Sequence, residues 1–584
     1  MTVPLTNSST SHSSHVDVLI VGAGPMGLMS ALWMAEFGLK VRIIDKRGTR
    51  ALNGRADGFH VRSLEIWDSF GLGHVFATHG TRVSQWDLWA PDGKGGLMRQ
   101  KQDGTIGTDS SRFIPGTMHQ GNIEAALIDA IKRRAGIEVE RGVIPTRIVT
   151  DNTKMHDHTA HAVVVDLRRV NKEELGTWTV NAHRVQDGIA RAERGHIDAN
   201  VVPNDGSDTV PTISGEPGST ETVHAKYVIG ADGGQSWVRR QLGFAMEGAT
   251  YNAKWGVIDA VLDTGFPDFK KHRTILSPAG TVLSITRENN MTRLYIQLPG
   301  SDMDQYEDGI LTAQHLMAAA AKVLEPFRLS YSYCDCWTIY KVGQRVSDHF
   351  DYGQRIFLGG DAVHTHTPKG GQGMNVSMQD AYNLGWKVAG VAKQQLNPAI
   401  LPTYESERRP IAELLIEIDT VLAGNLSQKD RKTTLDANAA YDKLRAFNSG
   451  ANICYEPSLV VVSLPPGKPV TSLPLGMRLP PFPIFNLASV LPVDLQELCP
   501  SDGLWRLLVF GGDVTNPTQL SRVNNLGMAL SPLLSKFRSL EQSGPSFLVP
   551  LLLISYEFGY IDLGYKHIII ASSLVERCSP SCIR

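Results

Sequence analysis

Cysteine is scarce, with six residues in a chain of 584. Cys334 and Cys336 form one isolated close pair and Cys578 and Cys582 another. No Cys-x-x-Cys occurs, and no second pair or histidine set completes a zinc site. These lacks argue against a disulfide framework, disulfide exchange and a metal centre, and favour a reducing compartment. Long apolar runs are missing as well. The longest, such as residues 547–554, fall far short of the roughly 20 residues that a membrane-spanning helix needs. Neither sign of charge is in excess: 57 Lys and Arg face 59 Asp and Glu, a formal net of -2. That balance offers no electrostatic case for nucleic acid or an anionic membrane. Residues 1–15 are rich in Ser, Thr and His and lack an apolar core, so they read as a loose tail rather than a signal peptide. The ending Ser581-Cys582-Ile583-Arg584 carries no prenylation or peroxisomal signal. A cytoplasmic protein is expected.

The length calls for two or three domains, and 42% apolar with 20% charged residues fits a globular chain. Residues 16–21, Val-Asp-Val-Leu-Ile-Val, read as a buried parallel strand. A glycine-rich turn follows, then a helical pattern over 26–37 ending at Gly38, and a second strand at 41–44. This is a βαβ opening. Residues 151–222 are polar and irregular and read as a variable excursion, with a strand at 162–166. A strand at 227–230 returns to the first domain. Alternation between residues 255 and 297, clearest at 281–286 and 292–297, predicts a second domain built on half-buried strands. A strand at 355–358 and a helix-rich segment from 377 to about 426 come next. A proline-rich stretch at 464–483 reads as a linker, and the strand at 504–510 belongs to a smaller C-terminal domain.

Gly22-Ala23-Gly24-Pro25-Met26-Gly27 sits between the first strand and its helix. The first glycine permits the tight turn, the second a close approach of the backbone to a pyrophosphate, and Gly27 the packing of helix on strand. The helix start supplies unpaired N–H groups for phosphate. Asp45, with Lys46 beside it, closes the second strand where an acid can accept from a ribose hydroxyl. The turn alone does not separate FAD from NAD.

Two later motifs do. The segment 230–239, with Asp232-Gly233, resembles the Asp-Gly signature of the flavoprotein aromatic hydroxylases. Gly360-Asp361-Ala362-Val363-His364, continuing through Pro368 to Gly371-Gln372-Gly373-Met374-Asn375, resembles their second flavin motif. The resemblance implies FAD, with Asp361 on the ribityl chain and the 371–375 backbone beside the flavin ring, where a side chain would block approach. It narrows to the phenol 2-monooxygenase branch. Asn53-Gly54-Arg55-Ala56-Asp57-Gly58 is similar to that branch's catalytic-aspartate segment, and 118–124 to its flavin-contacting segment, nominating Gln120. Arg287-Glu288 with Arg293-Leu294-Tyr295 resembles the strand pair carrying its active-site arginine and tyrosine.

The branch implies a Rossmann-like α/β FAD-binding domain (16–150, 223–252 and 340–425) with an inserted mixed or antiparallel sheet domain for substrate (253–339). It also implies a thioredoxin-like C-terminal domain (455–584) that makes dimer contacts and lacks redox chemistry. From about residue 516 the match fades. The implied reaction is hydroxylation of a small phenol with O2 and NADPH through a flavin C4a-hydroperoxide. No second dinucleotide turn is visible, as expected where NADPH binds transiently, with Arg239 and Arg240 as possible helpers. Asp57 would accept the phenolic proton, Tyr295 would hydrogen-bond the substrate oxygen, and Arg287 would supply positive potential. Ordinary readings stand beside these: an Asp57 ion pair with Arg55 or Arg62, a core Tyr295 and a solvent-facing Arg287. The same cofactor also serves oxidative decarboxylation, dearomatisation and Baeyer–Villiger insertion, and a non-catalytic flavin-binding protein is a further reading.

Overall fold

The computed structural model describes residues 12–52, 56–103, 110–179, 211–267, 269, 271–298, 312–367, 370–426, 443–463, 475–486, 491–539, 548–555 and 568–571. Of the sequence features above, residues 1–11, 53–55, 180–210 and 464–474, Pro368, Cys578 and Cys582 lie outside them. Contacts divide the chain into two units, Met1–Ile66 with His74–Arg478, and Trp67–Gly73 with Leu479–Arg584.

In the first unit, β1 (His12–Val21) leads through the glycine turn to α1 (Pro25–Glu36) and β2 (Val41–Asp45). Val18, Leu19 and Ile20 are wholly buried, which explains their unbroken apolar run: both faces of the strand are covered. β1 pairs in parallel with β2 on one side and with β3 (Thr220–Gly230) on the other. Beyond β3 lies β9 (Ile356–Leu358), also parallel. The glycine turn after β1, the Asp-Gly turn after β3 and the Gly-Asp turn after β9 therefore emerge at one edge of one sheet. Carboxyl-end crevices of this kind bind dinucleotides.

Three boundaries differ from expectation. β1 begins at His12, inside the stretch expected to be tail. His12 to His15 pair with Glu221 to His224, and such polar residues suit a half-exposed extension that carries no apolar pattern. The excursion is partly regular: Val163–Arg169 joins β3 and Val143–Thr150 in an antiparallel extension of the same sheet. The second sheet also reaches outside 253–339. Its main strands run from Met246 to Ser347, and it recruits the hairpin Trp86–Pro91 and Leu97–Asp103 and the short strand His364–Thr365.

That second sheet positions the site. Its strands include β4 (Met246–Thr264), β5 (His272–Ser277), β6 (Gly280–Thr286), β7 (Thr292–Gln297) and β8 (Leu329–Ser347). One face packs on helix α2 (Ala313–Leu324). There Leu316, Met317, Ala320 and Leu324, at helical spacing, meet Ile258, Ile275, Val282, Leu294 and Ile296. Each fully buried Leu or Ile contributes about 1.5–3 kcal/mol. That burial fixes the register, so the alternate residues Asp259, Arg293 and Tyr295 must point to the opposite face.

The C-terminal unit holds a mixed five-stranded sheet. Its order is Leu491–Asp494, Pro483–Asn486, Ile568–Ala571, Leu548–Ser555, Trp505–Asp513, with one long helix, Pro517–Ser539. The Ile568 segment, where the family resemblance had faded, is a strand within this sheet.

Candidate active site

The glycine turn fits a pyrophosphate. Gly22 has φ +105°, and a Cβ there would lie 2.3 Å from the Ala231 carbonyl oxygen. A Cβ on Gly27 would lie 1.9 Å from the Gly22 carbonyl oxygen, while one on Gly24 would meet nothing within 4 Å. Close packing thus falls at the first and third glycines and open space at the second. Gly24 caps α1 with no side-chain hydrogen bond, Pro25 opens the helix, and the first turn has no acid. These N–H groups are left for an anion. Asp45 is buried and accepts from Ala23 N at 2.9 Å and Arg47 N at 2.8 Å. Burial would raise its pKa, but Arg47 and Arg141 outweigh this and hold it well below the usual carboxylate range. It therefore braces the turn; Lys46 is exposed.

The other two motifs meet beside this turn. Asp232 spends its carboxylate on Ser236 Oγ, Trp237 N and Val238 N, capping the short helix Trp237–Gln241. Arg239 is buried and donates to Ala362 O at 2.7 Å and Gly234 O at 2.9 Å. It ties the Asp-Gly segment to the Gly-Asp turn and is thereby committed, whereas Arg240 is exposed. Asp361 is exposed in the turn after β9. Gly371 takes φ +63° immediately before helix α3 (Gly373–Ala392), whose N-cap Gln372 makes no side-chain capping bond. Gln372 instead donates to Asn448. Met374 is buried. The Asn375 side chain is fully used within the protein. It donates to Gly58 O at 2.9 Å and Gly371 O at 2.7 Å and accepts from His60 N at 2.9 Å and Ser63 Oγ at 2.7 Å. It fastens the Asp57 segment to the head of α3.

Gln120 fastens the same segment from the other side. It opens the helix Gln120–Ala135, accepts from Ala56 N at 3.1 Å and donates to Glu124 at 2.8 Å. Met118 N donates to Asp57 O at 2.9 Å. Asp57 is 3% exposed. Its Oδ2 accepts no hydrogen bond from the described residues, although Arg293 Nη1 stands 3.4 Å away and Arg287 Nη1 3.5 Å away. Of the two arginines beside Asp57 in sequence, residue 55 lies outside the described residues and Arg62 pairs with Glu65 at 3.1 Å; among the described residues the cations facing Asp57 come from the second sheet.

Arg287 is buried, which corrects the solvent-facing alternative; it contacts Asp259 at 3.3 Å and Glu288 at 3.0 Å. Tyr295 is buried with its hydroxyl 3.4 Å from Arg293 Nη1, and its ring packs with Trp255 and Val257, flanked by Leu283 and Ile285. Two residues given no role from sequence complete the group. Asp259 grips Arg293 through two bonds of 2.7 Å, and Cys336 Sγ lies 3.3 Å from the same carboxylate. Strand pairing places Asp259 opposite Arg293 and Cys336. Burial would raise the Asp259 pKa, but Arg293 and Arg287 override it and hold it far down. Burial likewise opposes ionisation of Glu288, yet Arg287 brings it to about 2. His119 accepts from Gly121 N through Nδ1 at 3.0 Å, and burial, then Arg287, lower its pKa to about 3.

Residues 15–419 match the FAD binding domain family, and residues 453–564 match the phenol hydroxylase C-terminal dimerisation domain. The chain belongs to the FAD-dependent aromatic hydroxylases, in the phenol 2-monooxygenase branch. It is 35% identical to the phenol 2-monooxygenase fsqG of Aspergillus fumigatus, covering 91% of this chain and 81% of that one. It is 34% identical to the FAD-dependent monooxygenase ankC of Aspergillus thermomutatus, covering 90% and 82%. The crystal structure of the flavin-dependent monooxygenase PieE, in complex with FAD and substrate, shares the fold. Its TM-score is 0.62 at 17% identity, with 97% of this chain and 98% of that one covered. No helix among the hydroxylase's described residues is long and apolar enough to cross a membrane.

Proposed function

We propose that this hydroxylase adds one oxygen atom from O2 to the ring of a small phenol, with NADPH as reductant. The observation that carries this reading is the Asp57 carboxylate, buried yet without a hydrogen bond at Oδ2, held among Arg287, Arg293 and Tyr295. Buried acceptors are ordinarily satisfied, so the open oxygen suits the O–H of a bound substrate.

FAD, once bound and reduced by NADPH, would activate O2 as the electrophilic oxygen donor, with the second oxygen atom leaving as water. The chain's own residues do the rest. The N–H groups of the Gly22 to Gly27 turn would hold its pyrophosphate, with Asp45 and Lys46 serving the ribose. Asp361 would take a ribityl hydroxyl, the backbone of Gly371 to Asn375 would leave room for the ring, Gln120 would contact the flavin, and Asp232 holds its own segment in place. Asp57 accepts the phenolic proton, leaving a more electron-rich ring. Tyr295 and Arg293 stabilise the oxygen as charge develops there, and Arg287 adds positive potential. Burial of the group keeps water from the reacting atoms.

The dimerisation-domain match supports a homodimer. The described cysteines are all free thiols, which suits a reducing cytoplasm. The test is to purify the protein with its flavin and follow NADPH oxidation against a panel of phenols while weighing the products. Substrate-stimulated oxidation with a gain of one oxygen is expected. A flavin-loaded protein inert toward every phenol contradicts the proposal.

A further inference from the structure

The charges buried around Asp57 do not balance. Arg287 faces Asp259 at 3.3 Å, Glu288 at 3.0 Å and Asp57 at 3.5 Å; Arg293 faces Asp259 at 2.7 Å and Asp57 at 3.4 Å. That is two guanidiniums against three carboxylates among the described residues. The remaining titratable groups around Asp57 among the described residues add no cation. His119 is neutral at physiological pH, and the Cys336 thiol, with its pKa driven upward by burial and then by Asp259, carries no charge either. Both arginines already have partners, and Arg293 meets Asp259 through a two-point contact that a third carboxylate would have to break.

We infer that the pocket takes uncharged or cationic phenols and rejects phenols that carry a carboxylate. This rests on the reading of Asp57 as the acceptor of the substrate proton. A neutral phenol suits the charge set throughout: its proton passes to Asp57 Oδ2, the O–H bond breaks as the new one forms, and the total charge is unchanged. The ring meets the patch of Trp255, Val257, Leu283 and Ile285 around Tyr295, which holds no cation to offset an anionic substituent. A carboxylate at this site would add a second uncompensated negative charge at low dielectric, where repulsion over several ångströms weakens binding by at least about tenfold.

The test uses three ligands of matched size: 4-ethylphenol, tyramine and 4-hydroxyphenylacetate, which are neutral, cationic and anionic. Each is titrated into the FAD-loaded protein and binding is read by calorimetry, so no turnover is required. The first two should bind at least about tenfold more tightly than the third. In Asp259→Asn, or in Glu288→Gln if the first variant does not fold, 4-hydroxyphenylacetate should gain at least about fivefold relative to 4-ethylphenol. Binding of the anion as tight as that of 4-ethylphenol, or a ratio unmoved in the folded variant, overturns the charge inference alone. Failure of all three to bind overturns both the inference and the phenol-site reading beneath it.

Discussion

Arg293 places one guanidinium nitrogen 3.4 Å from Asp57 Oδ2 while its Nε and Nη2 hold Asp259 at 2.7 Å. The same nitrogen lies 3.4 Å from the Tyr295 hydroxyl. One side chain thus joins the proposed proton acceptor to the proposed oxygen binder and is itself held rigid by a carboxylate on a neighbouring strand.

Asp57→Asn should separate cofactor binding from chemistry. The variant should keep its flavin spectrum, because no cofactor-cradling bond runs through that side chain. Coupled product should fall by roughly 10²–10⁴, the usual contribution of a positioned acid or base. The assay is product formed per NADPH consumed.

Tyr295→Phe keeps the ring among Trp255 and Val257 and removes only the hydroxyl. The fold should be unaffected, and turnover should drop by about tenfold or more, the scale of one lost hydrogen bond to developing charge. Steady-state kinetics with matched melting curves check this.

Gly27→Ala should abolish FAD retention. The added methyl would lie 1.9 Å from the Gly22 carbonyl oxygen, so helix and turn would have to separate. The purified protein is expected to be colourless, with an FAD titration that shows no saturable binding.

Arg293→Met should destabilise strongly. Asp259 and Asp57 would lose a shared cation while remaining buried, and breaking such a pair typically costs about 3–5 kcal/mol. The urea midpoint of the FAD-binding unit reports it, and a midpoint equal to that of wild type would contradict the assigned pairing.

Acid should weaken the fold before its carboxylates protonate. Burial lowers His60 and His272 to about 4, and burial with Arg287 lowers His119 to about 3. Below their unfolded value of about 6.5, the unfolded chain takes up protons that the folded chain refuses. Stability is therefore present above that value and is lost as pH falls from about 6.5 toward 4. Urea midpoints across that range should fall with pH, and more shallowly in His119→Asn.

Much of the cofactor region is legible in the sequence because its signals are local. A turn that must admit a phosphate needs glycine at fixed offsets, and Gly22, Gly24 and Gly27 sit at them within six residues. Asp259 is not legible in that way. Its meaning comes from pairing across the sheet with Arg293, 34 residues on, and with Cys336, 77 residues on. No periodicity announces such a partner. Asn375 was legible as part of a flavin motif, but its side chain serves the Asp57 segment more than three hundred residues earlier. The apolar pattern of the first strand starts later than the strand itself, because Ser13 to His15 lie at a half-exposed end where no apolar alternation is required.

The most direct measurement is the mass of the product formed from a phenol under ¹⁸O2, for the wild type and Asp57→Asn side by side. The expected result is a single labelled oxygen on the ring with the wild type, and the variant oxidising NADPH while yielding little labelled product. An unlabelled product, or equal labelled yields from the two proteins, would contradict the account.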